Sequence, residues 1–564
     1  MSGTLHIIRK DLRRLRWLLA AWVVVIIGRV VLTAAGSAVE PEDVGLQLIV
    51  QNLSGLAGFV EMLMWGLLVS WLVHDEPLVG ADAFWLTRPI DPNALMRAKL
   101  LLAGIFLVLC PLARETLEMA WFGAGPRDAA VAATGFVFTQ TFWVLLLLAA
   151  AVLTPSLTRF VLTIAAGIAT FVVAIGALMT LLVLTQPEEQ AYYDGRMIQD
   201  STANIVGSVL VMCAAFGVIV YQYRHRWLRR AILIGAAGLI AAAIATWLWP
   251  WHFARGVEPD PGPWAKDPRT IAALDVTRPP HVSEAYSLRR SRIPKKQVAA
   301  PIDLTGAPAD YFVESAGVRA RLAFPDGTTI ESAQRESVGI PHPSADGSSG
   351  RSTHLQAALG DVRLSPNTAD NYESLPVVLR VTDGDYQRYG EQTGNLTATV
   401  DFQLNRFRVF GSLPLSAGAV VRDKTDRFEI VRVIRRSDGC DVLLRQFVVT
   451  PLWASRAPRQ FQYVLRNAGR REAIAGDNEG MMGRGELNLA GALLGVSVNP
   501  ATQAFSVWNQ TLRYPTRAPS SSSARRIDPA WLEAAELVVI ESVSAGHVTR
   551  PLDVDGFRMR PADR

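Results

Sequence analysis

Cysteine is scarce in this chain of 564 residues, with Cys110, Cys213 and Cys440 its only three. The first two lie in apolar runs. Cys440 stands alone in the C-terminal half, so that half holds no internal disulfide and must be stabilised by its core. Cys440 itself reads as a buried free thiol or as a link to another chain. Lysine is nearly as rare, at positions 10, 99, 266, 295, 296 and 424 only. Arginine carries the remaining positive charge, a bias that a GC-rich bacterial genome explains. No Gly-Lys pair occurs, which excludes the loop G-x-x-x-x-G-K-[ST] that cradles nucleotide phosphates. His-x-x-x-His and Cys-x-x-Cys spacings and a G-x-S-x-G elbow are missing too, and His281, His342, His354 and His547 are widely separated. The sequence therefore assigns no catalytic residue, no metal site and no bound cofactor to this chain. Long apolar runs are absent after Trp251.

Before Trp251 such runs dominate. The overall 50% hydrophobic content and mean hydropathy of +0.21 average two dissimilar halves. A helix needs about 20 apolar residues to cross the hydrocarbon core. Seven segments qualify: 17–35, 54–73, 100–122, 129–153, 160–185, 203–221 and 231–249. The third is the weakest, since Pro111, Arg114, Glu115 and Glu118 interrupt its outer part. With the N-terminus cytoplasmic, the inner connections carry Arg9, Lys10, Arg13, Arg14, Arg16, Arg88, Arg97, Lys99, Arg159, Arg224, Arg226, Arg229 and Arg230. The outer connections carry only Arg114, Arg127 and Arg196. Positive segments are retained inside, so the N-terminus is expected in the cytoplasm and everything after Trp251 outside. Arg29 interrupts the first apolar run and six more spans follow, which favours an uncleaved first span over a signal peptide. Basic residues placed this way orient helices rather than line a groove for phosphates, so nucleic-acid binding is not expected.

Three polar features punctuate the membrane half. In Leu5–Trp17, Leu5, Ile8, Leu12 and Leu15 share one helical side while Arg9, Lys10, Arg13, Arg14 and Arg16 crowd the rest. That pattern suits a helix in the membrane interface facing anionic headgroups, or a simple basic anchor. Between the second and third spans, residues 75–99 are too mixed in polarity to cross. A short helix over 81–87 is stopped by Pro89, and Asp91 or Asn93 can cap the helix that follows. Inside the spans, Glu61, Arg29, Glu115 and Glu118 form a possible intramembrane polar site. Arg29 can snorkel and the third-span carboxylates can be wet, whereas Glu61 either faces a substrate path or pairs with an arginine of a neighbouring helix.

Arg9-Lys10-Asp11-Leu12, the acidic pair Asp75-Glu76, the segment Phe84-Trp85-Leu86-Thr87-Arg88-Pro89-Ile90 and Lys99 together resemble the permease subunits of ABC transporters of the ABC-2 type. The resemblance covers about residues 5–250. It implies a coupling loop, with Asp75, Glu76, Phe84, Trp85, Arg88, Pro89 and Lys99, that docks on a separate ABC ATP-binding subunit. ATP and Mg would be bound by that partner. The family also implies an exporter in a bacterial cytoplasmic (inner) membrane and a homodimer or heterodimer of permease subunits. Its usual membrane domain has six spans and a cytoplasmic C-terminus, so it says nothing about an exported C-terminal half.

The fold class expected is a membrane α-helical bundle of about seven transmembrane helices plus an all-β extracytoplasmic region of two β-sandwich modules. Residues 1–251 form the permease domain and 252–301 a Pro-rich linker, followed by modules over 302–420 and 421–564. Strands are expected at 318–324 (turning at Asp326-Gly327), 375–381, 396–409, 428–434, 441–449, 460–465, 504–512 and 537–542, with a helix at 529–535 capped by Asp528. A membrane-anchored envelope sensor or scaffold without transport stays open as an alternative, as does a membrane enzyme with an unseen active site.

Overall fold

The computed structural model describes residues 2–38, 44–75, 91–167, 169 and 201–245 of the helical half. In the rest of the chain it describes 262–267, 269–274, 280–284, 295–306, 311–334, 338–339, 350–360, 362–365, 377–423, 426–436, 439–449, 460–475, 477–483, 505–514 and 527–560.

Helix α1 (Ser2–Ala38) is one uninterrupted helix, about 55 Å long and so longer than a hydrocarbon core of about 30 Å. The basic segment expected as a separate interfacial helix is therefore the first turns of the first span. Ile7, Asp11, Leu15, Leu19 and Trp22 are buried at spacings of three and four, so this stripe packs on the bundle. Next come α2 (Val44–His74) and α3 (Pro92–Ala103), whose start is capped by Asp91 accepting from the Asn93 N–H at 3.1 Å. A π-helical turn at Gly104–Leu109 leads directly into α4 (Cys110–Trp121). After them run α5 (Pro126–Leu153), α6 (Leu157–Gly167), α7 (Ser201–His225) and α8 (Leu228–Ala243).

Five helices among the described residues are long and apolar enough to cross a membrane: 4–36, 52–74, 92–121, 126–153 and 205–225. The expected fifth and seventh spans are entered by α6 and α8, and their remainders lie outside the described residues. Helices α7 and α8 form an antiparallel hairpin in which Gly217 meets Ile234 and Gly238 meets Ala214. Close approach through small residues is how helices pack where lipid supplies no hydrophobic drive.

The third crossing is continuous through Pro111, against the expectation of a weak span, and the π turn explains how. Proline has no N–H and its ring crowds the carbonyl four residues back. The chain absorbs this by widening the preceding turn, so that the Cys110 N–H reaches Ile105 O, five residues earlier. The carbonyl of Phe106 would then need the missing N–H of Pro111. Trp22 Nε1 donates to it instead, at 3.0 Å, from a fully buried position on α1.

Beyond α9 (Pro263–Lys266) the chain is β-rich, with helices α10 (Gly350–Leu359), α11 (Asp383–Tyr389) and α12 (Pro529–Glu533). The first strands are β1 (Ala272–Leu274), β2 (His281–Glu284), β3 (Lys295–Ala299), β4 (Ile302–Leu304), β5 (Phe312–Ala323), β6 (Thr329–Gln334) and β7 (Val338–Gly339). They continue with β8 (Arg363–Ser365), β9 (Val377–Thr382), β10 (Gly394–Pro414), β11 (Val420–Arg422), β12 (Asp426–Arg435) and β13 (Cys440–Val449). The last are β14 (Gln460–Asn467), β15 (Glu472–Ala475), β16 (Asp477–Gly483), β17 (Phe505–Tyr514) and β18 (Ala535–Phe557).

A central sheet of eight strands runs β6-β5-β10-β18-β14-β15-β8, with β7 also on β5. A five-stranded sheet, β11-β12-β13-β17-β16, shares one core with it around Phe428, Leu444, Leu465 and Leu537. The small sheets β2-β3-β9 and β1-β4 share a second core with it around Val298, Leu322, Val378 and Phe402. Helix α10 covers Val538 and Ile540 on the face opposite Leu537 and Val539. Strands β10 and β18 pair along their whole length, from Gly394–Phe557 to Pro414–Glu536. The expected division near 420 therefore does not separate two modules: β18 belongs to both halves and binds them through one sheet.

The described parts of the expected linker are likewise folded in. Strands β1, β2 and β3 lie inside 252–301, and Ala265, Ala272, Leu274 and Val298 are buried. Pro263 sits in the first turn of α9, where the backbone tolerates it. The Asp326-Gly327 turn and the Asp528 cap of α12 stand as expected, with Asp528 accepting from the Ala530 N–H at 3.1 Å.

Cys440 is a free thiol with no solvent exposure. Burial, reinforced by neighbouring Asp441 and opposed by Arg435, pushes it up to about 12. Because the thiolate is the nucleophile, Cys440 stays protonated and unreactive until pH approaches that value. Alkylation at pH 8 followed by mass spectrometry should leave Cys440 unmodified in the folded chain and modify it after unfolding; modification before unfolding would refute its burial.

Candidate functional site

Two networks of charged residues hold the bundle. The first lies at the end where the segment 76–90 leaves α2 and returns to α3. Asp11 of α1 and Lys99 of α3 form an ion pair at 2.9 Å, with side chains only 2% and 3% exposed. One turn along α1, Arg14 pairs with Asp75 at 2.6 Å, just past α2. The Arg224 Nε donates to Asn93 Oδ1 at 3.3 Å, joining α7 to the start of α3. His74 lies against Ser70 and, through Nε2, against the Thr154 carbonyl at 3.0 Å, which joins α2 to the end of α5. The two ends of the 76–90 segment are thus tied to three other helices, α1, α5 and α7.

Of the residues expected in the coupling loop, Asp75 and Lys99 are brought into this one network through α1. Glu76, Phe84, Trp85, Arg88 and Pro89 lie outside the described residues. Arg9, Lys10 and Arg13 share the exposed side of α1 with His6, and together with Arg14 they line a shallow groove. Like charges at this spacing repel one another, so the stripe favours an anionic neighbour.

The second network lies farther along the same helices. Glu61 of α2 accepts from Arg114 of α4 through both carboxylate oxygens, at 2.7 and 2.6 Å, and also from Arg29 of α1. Arg114 also pairs with Glu115 and faces Glu118 at 3.8 Å. The Thr33 hydroxyl donates to Glu118 at 3.4 Å. Glu61 thus pairs with arginines, one of the two expectations for it, and the possible polar site expected of Glu61, Arg29, Glu115 and Glu118 assembles around Arg114. That central role was missed, although Arg114 and Glu118 stand at the i, i+4 spacing that marks helix-surface ion pairs. Chemically this arrangement locks α1, α2 and α4 together. Among the described residues no group of three or more His, Cys, Asp or Glu is placed to hold a metal ion.

The opposite end of the bundle carries a joint with no counterpart in the expectations. Helix α4 ends at Phe122–Gly125, with Gly123 in the left-handed region (φ +71) and the Ala124 N–H returning to Met119 O. Arg427 of β12 donates to the helix-end carbonyl of Phe122 at 2.5 Å, and Glu429 holds the same guanidinium at 3.1 Å. The Arg445 guanidinium lies 5.4 Å from the Phe122 ring centre, with its Nε on Asn509 at 3.2 Å. Burial pulls Arg445 below its usual value; Glu429 opposes this and Arg427 adds to it. Around these polar contacts Met119, Phe122, Ala132 and Phe136 pack on Phe447, Val449 and Val507. The β region therefore sits on the end of the bundle opposite to the 76–90 segment.

No family model matches this chain, and no curated protein or solved structure is significantly similar to it.

Glu61→Ala takes from Arg114, whose side chain is 5% exposed, the carboxylate it meets through two contacts while leaving it Glu115 and Glu118, and should cost about 1.5–3 kcal/mol. Arg29→Ala, at a side chain one quarter exposed, should cost about 1 kcal/mol or less. Thermal unfolding of the detergent-purified variants ranks the two; equal losses would contradict Arg114 as the principal partner.

Proposed function

We propose that this chain is the membrane-spanning permease subunit of an ATP-driven ABC-type exporter, energised by a separate ATP-binding subunit that docks on the 75–99 loop. The observation that carries the reading is the network Asp11–Lys99 and Arg14–Asp75. Three of its members, Asp11, Asp75 and Lys99, are residues on which the resemblance to ABC-2 permeases rests. They lie far apart in the sequence, yet they meet at the two ends of one short segment. A loop that transmits force to helices needs such rigid ends, since a slack attachment would absorb any movement of the partner.

The remainder follows from that reading. ATP and Mg belong to the partner, and nucleotide state biases the bundle between inward- and outward-facing packings. The N-terminus is cytoplasmic, the β region is extracytoplasmic, and the membrane is a bacterial inner membrane. The location of the β region at the far end of the bundle supports this sidedness, because a charge asymmetry of thirteen to three retains the 76–90 end inside. Two such subunits, identical or different, complete the transporter.

Replacing Phe84, Trp85 and Arg88 together by Ala should abolish co-purification of an ATPase from the native membrane while the variant still inserts. Retention of the ATPase with unchanged activity would remove the assignment of that loop. Capture of a partner without ATPase activity through the same residues would move the function to a sensor or scaffold.

A further inference from the structure

One rod joins the two ends of the bundle. From Pro92 to Trp121 the chain is a single crossing of 30 residues, about 45 Å long. Its first turns carry Asn93 and Lys99, held by Arg224 and Asp11. Its last turn runs into Phe122–Gly125, gripped by Arg427 and Arg445 of the five-stranded sheet. Between them stands the π turn, closed on one side by Pro111 and latched by Trp22 on the Phe106 carbonyl. The lower half is thus tied to the 76–90 segment, the upper half to the β region, and the two meet at an irregular turn.

A π turn holds one residue more than an α turn. Expelling or moving that residue rotates one half of the helix against the other by about 100° and shifts it by about 1.5 Å. Lys99 below and Arg114 above cannot both keep their present partners through such a rotation. The state of the joint and the engagement of the two ends are therefore linked, and linkage of this kind works from either end. A side-chain donor placed on the one carbonyl that proline leaves without an N–H is the contact that holds the joint in its present register.

We propose that Pro92–Trp121 is a jointed lever coupling the β region to the 76–90 segment, with the π turn as its joint and Trp22 as its latch. Loosening the sheet's grip on Phe122 frees the lower half of the rod, and loosening the Asp11–Lys99 end frees the upper half. The proposal rests on the transporter reading only in naming the 76–90 segment as a docking loop; the mechanical link is independent of what docks there.

Amide hydrogen exchange of the full chain in lipid nanodiscs, read by mass spectrometry without any partner subunit, tests it. Arg427→Ala should speed exchange severalfold at 119–125 and also at 92–109, with α7 unchanged. Faster exchange confined to 119–125 would overturn the proposal. In Trp22→Phe the joint is already open, so adding Arg427→Ala should give no further increase at 92–103; an additive increase would equally overturn it. Should Arg427→Ala loosen α7 as well, the reciprocal variant Lys99→Met decides, with faster exchange at 119–125 expected and unchanged exchange there fatal. Because no ATPase is present, failure of the transporter reading leaves this result intact.

Discussion

A hydrocarbon interior offers no water to an ion, so a charge placed there must bring its own partner. Glu61 meets that constraint from the middle of α2 by taking Arg114 from α4 and Arg29 from α1. The arrangement of the bundle follows from it. Once three helices must converge on one carboxylate, their rotations are set. The stripe Ile7–Trp22 of α1 then turns toward the rest of the bundle, where Asp11 finds Lys99 and Trp22 finds the Phe106 carbonyl. Each polar group on that buried stripe answers one that a neighbouring helix cannot satisfy alone.

The same economy governs the far end. A helix leaves its last carbonyls unpaired, and at Phe122 a side chain of the β region meets one of them. Gly123 suits this place. Its backbone is left-handed, and a Cβ would stand 2.5 Å from the Arg427 guanidinium. Above this joint the pair β10–β18 carries the central sheet through both cores, so a load at the five-stranded sheet is not isolated from the remainder of the β region.

Local rules were readable from the residues where the physics is local. Apolar length marked the spans, Asp91 and Asp528 marked helix starts, and Asp326-Gly327 marked a hairpin turn. Expectations failed where the cause lay far along the chain. Strand β18 was expected to end near Ser542, yet it runs to Phe557 because β10, some 140 residues earlier, offers a partner for every residue beyond two bulges. The prolines of 252–301 suggested a linker; short strands within it pair with β4, with β9 and with one another instead. Pro111 was visible as a flaw in the third span, but its remedy, Trp22, lies 84 residues from the Phe106 carbonyl it serves. In the candidate site, Glu61 was recognised from its cost in lipid, whereas the pairing of Arg14 with Asp75 needed α1 to continue unbroken from its basic turns into the first span.

The central claim is that the 76–90 end of the bundle and the β region face opposite sides of a membrane. Single cysteines placed at exposed His6 and exposed Asp326, in a chain whose three native cysteines are replaced by serine, read both ends with a membrane-impermeant maleimide. In intact expressing cells the position-326 cysteine should label at once and the position-6 cysteine only after permeabilisation. Equal labelling of the two before permeabilisation would contradict the account.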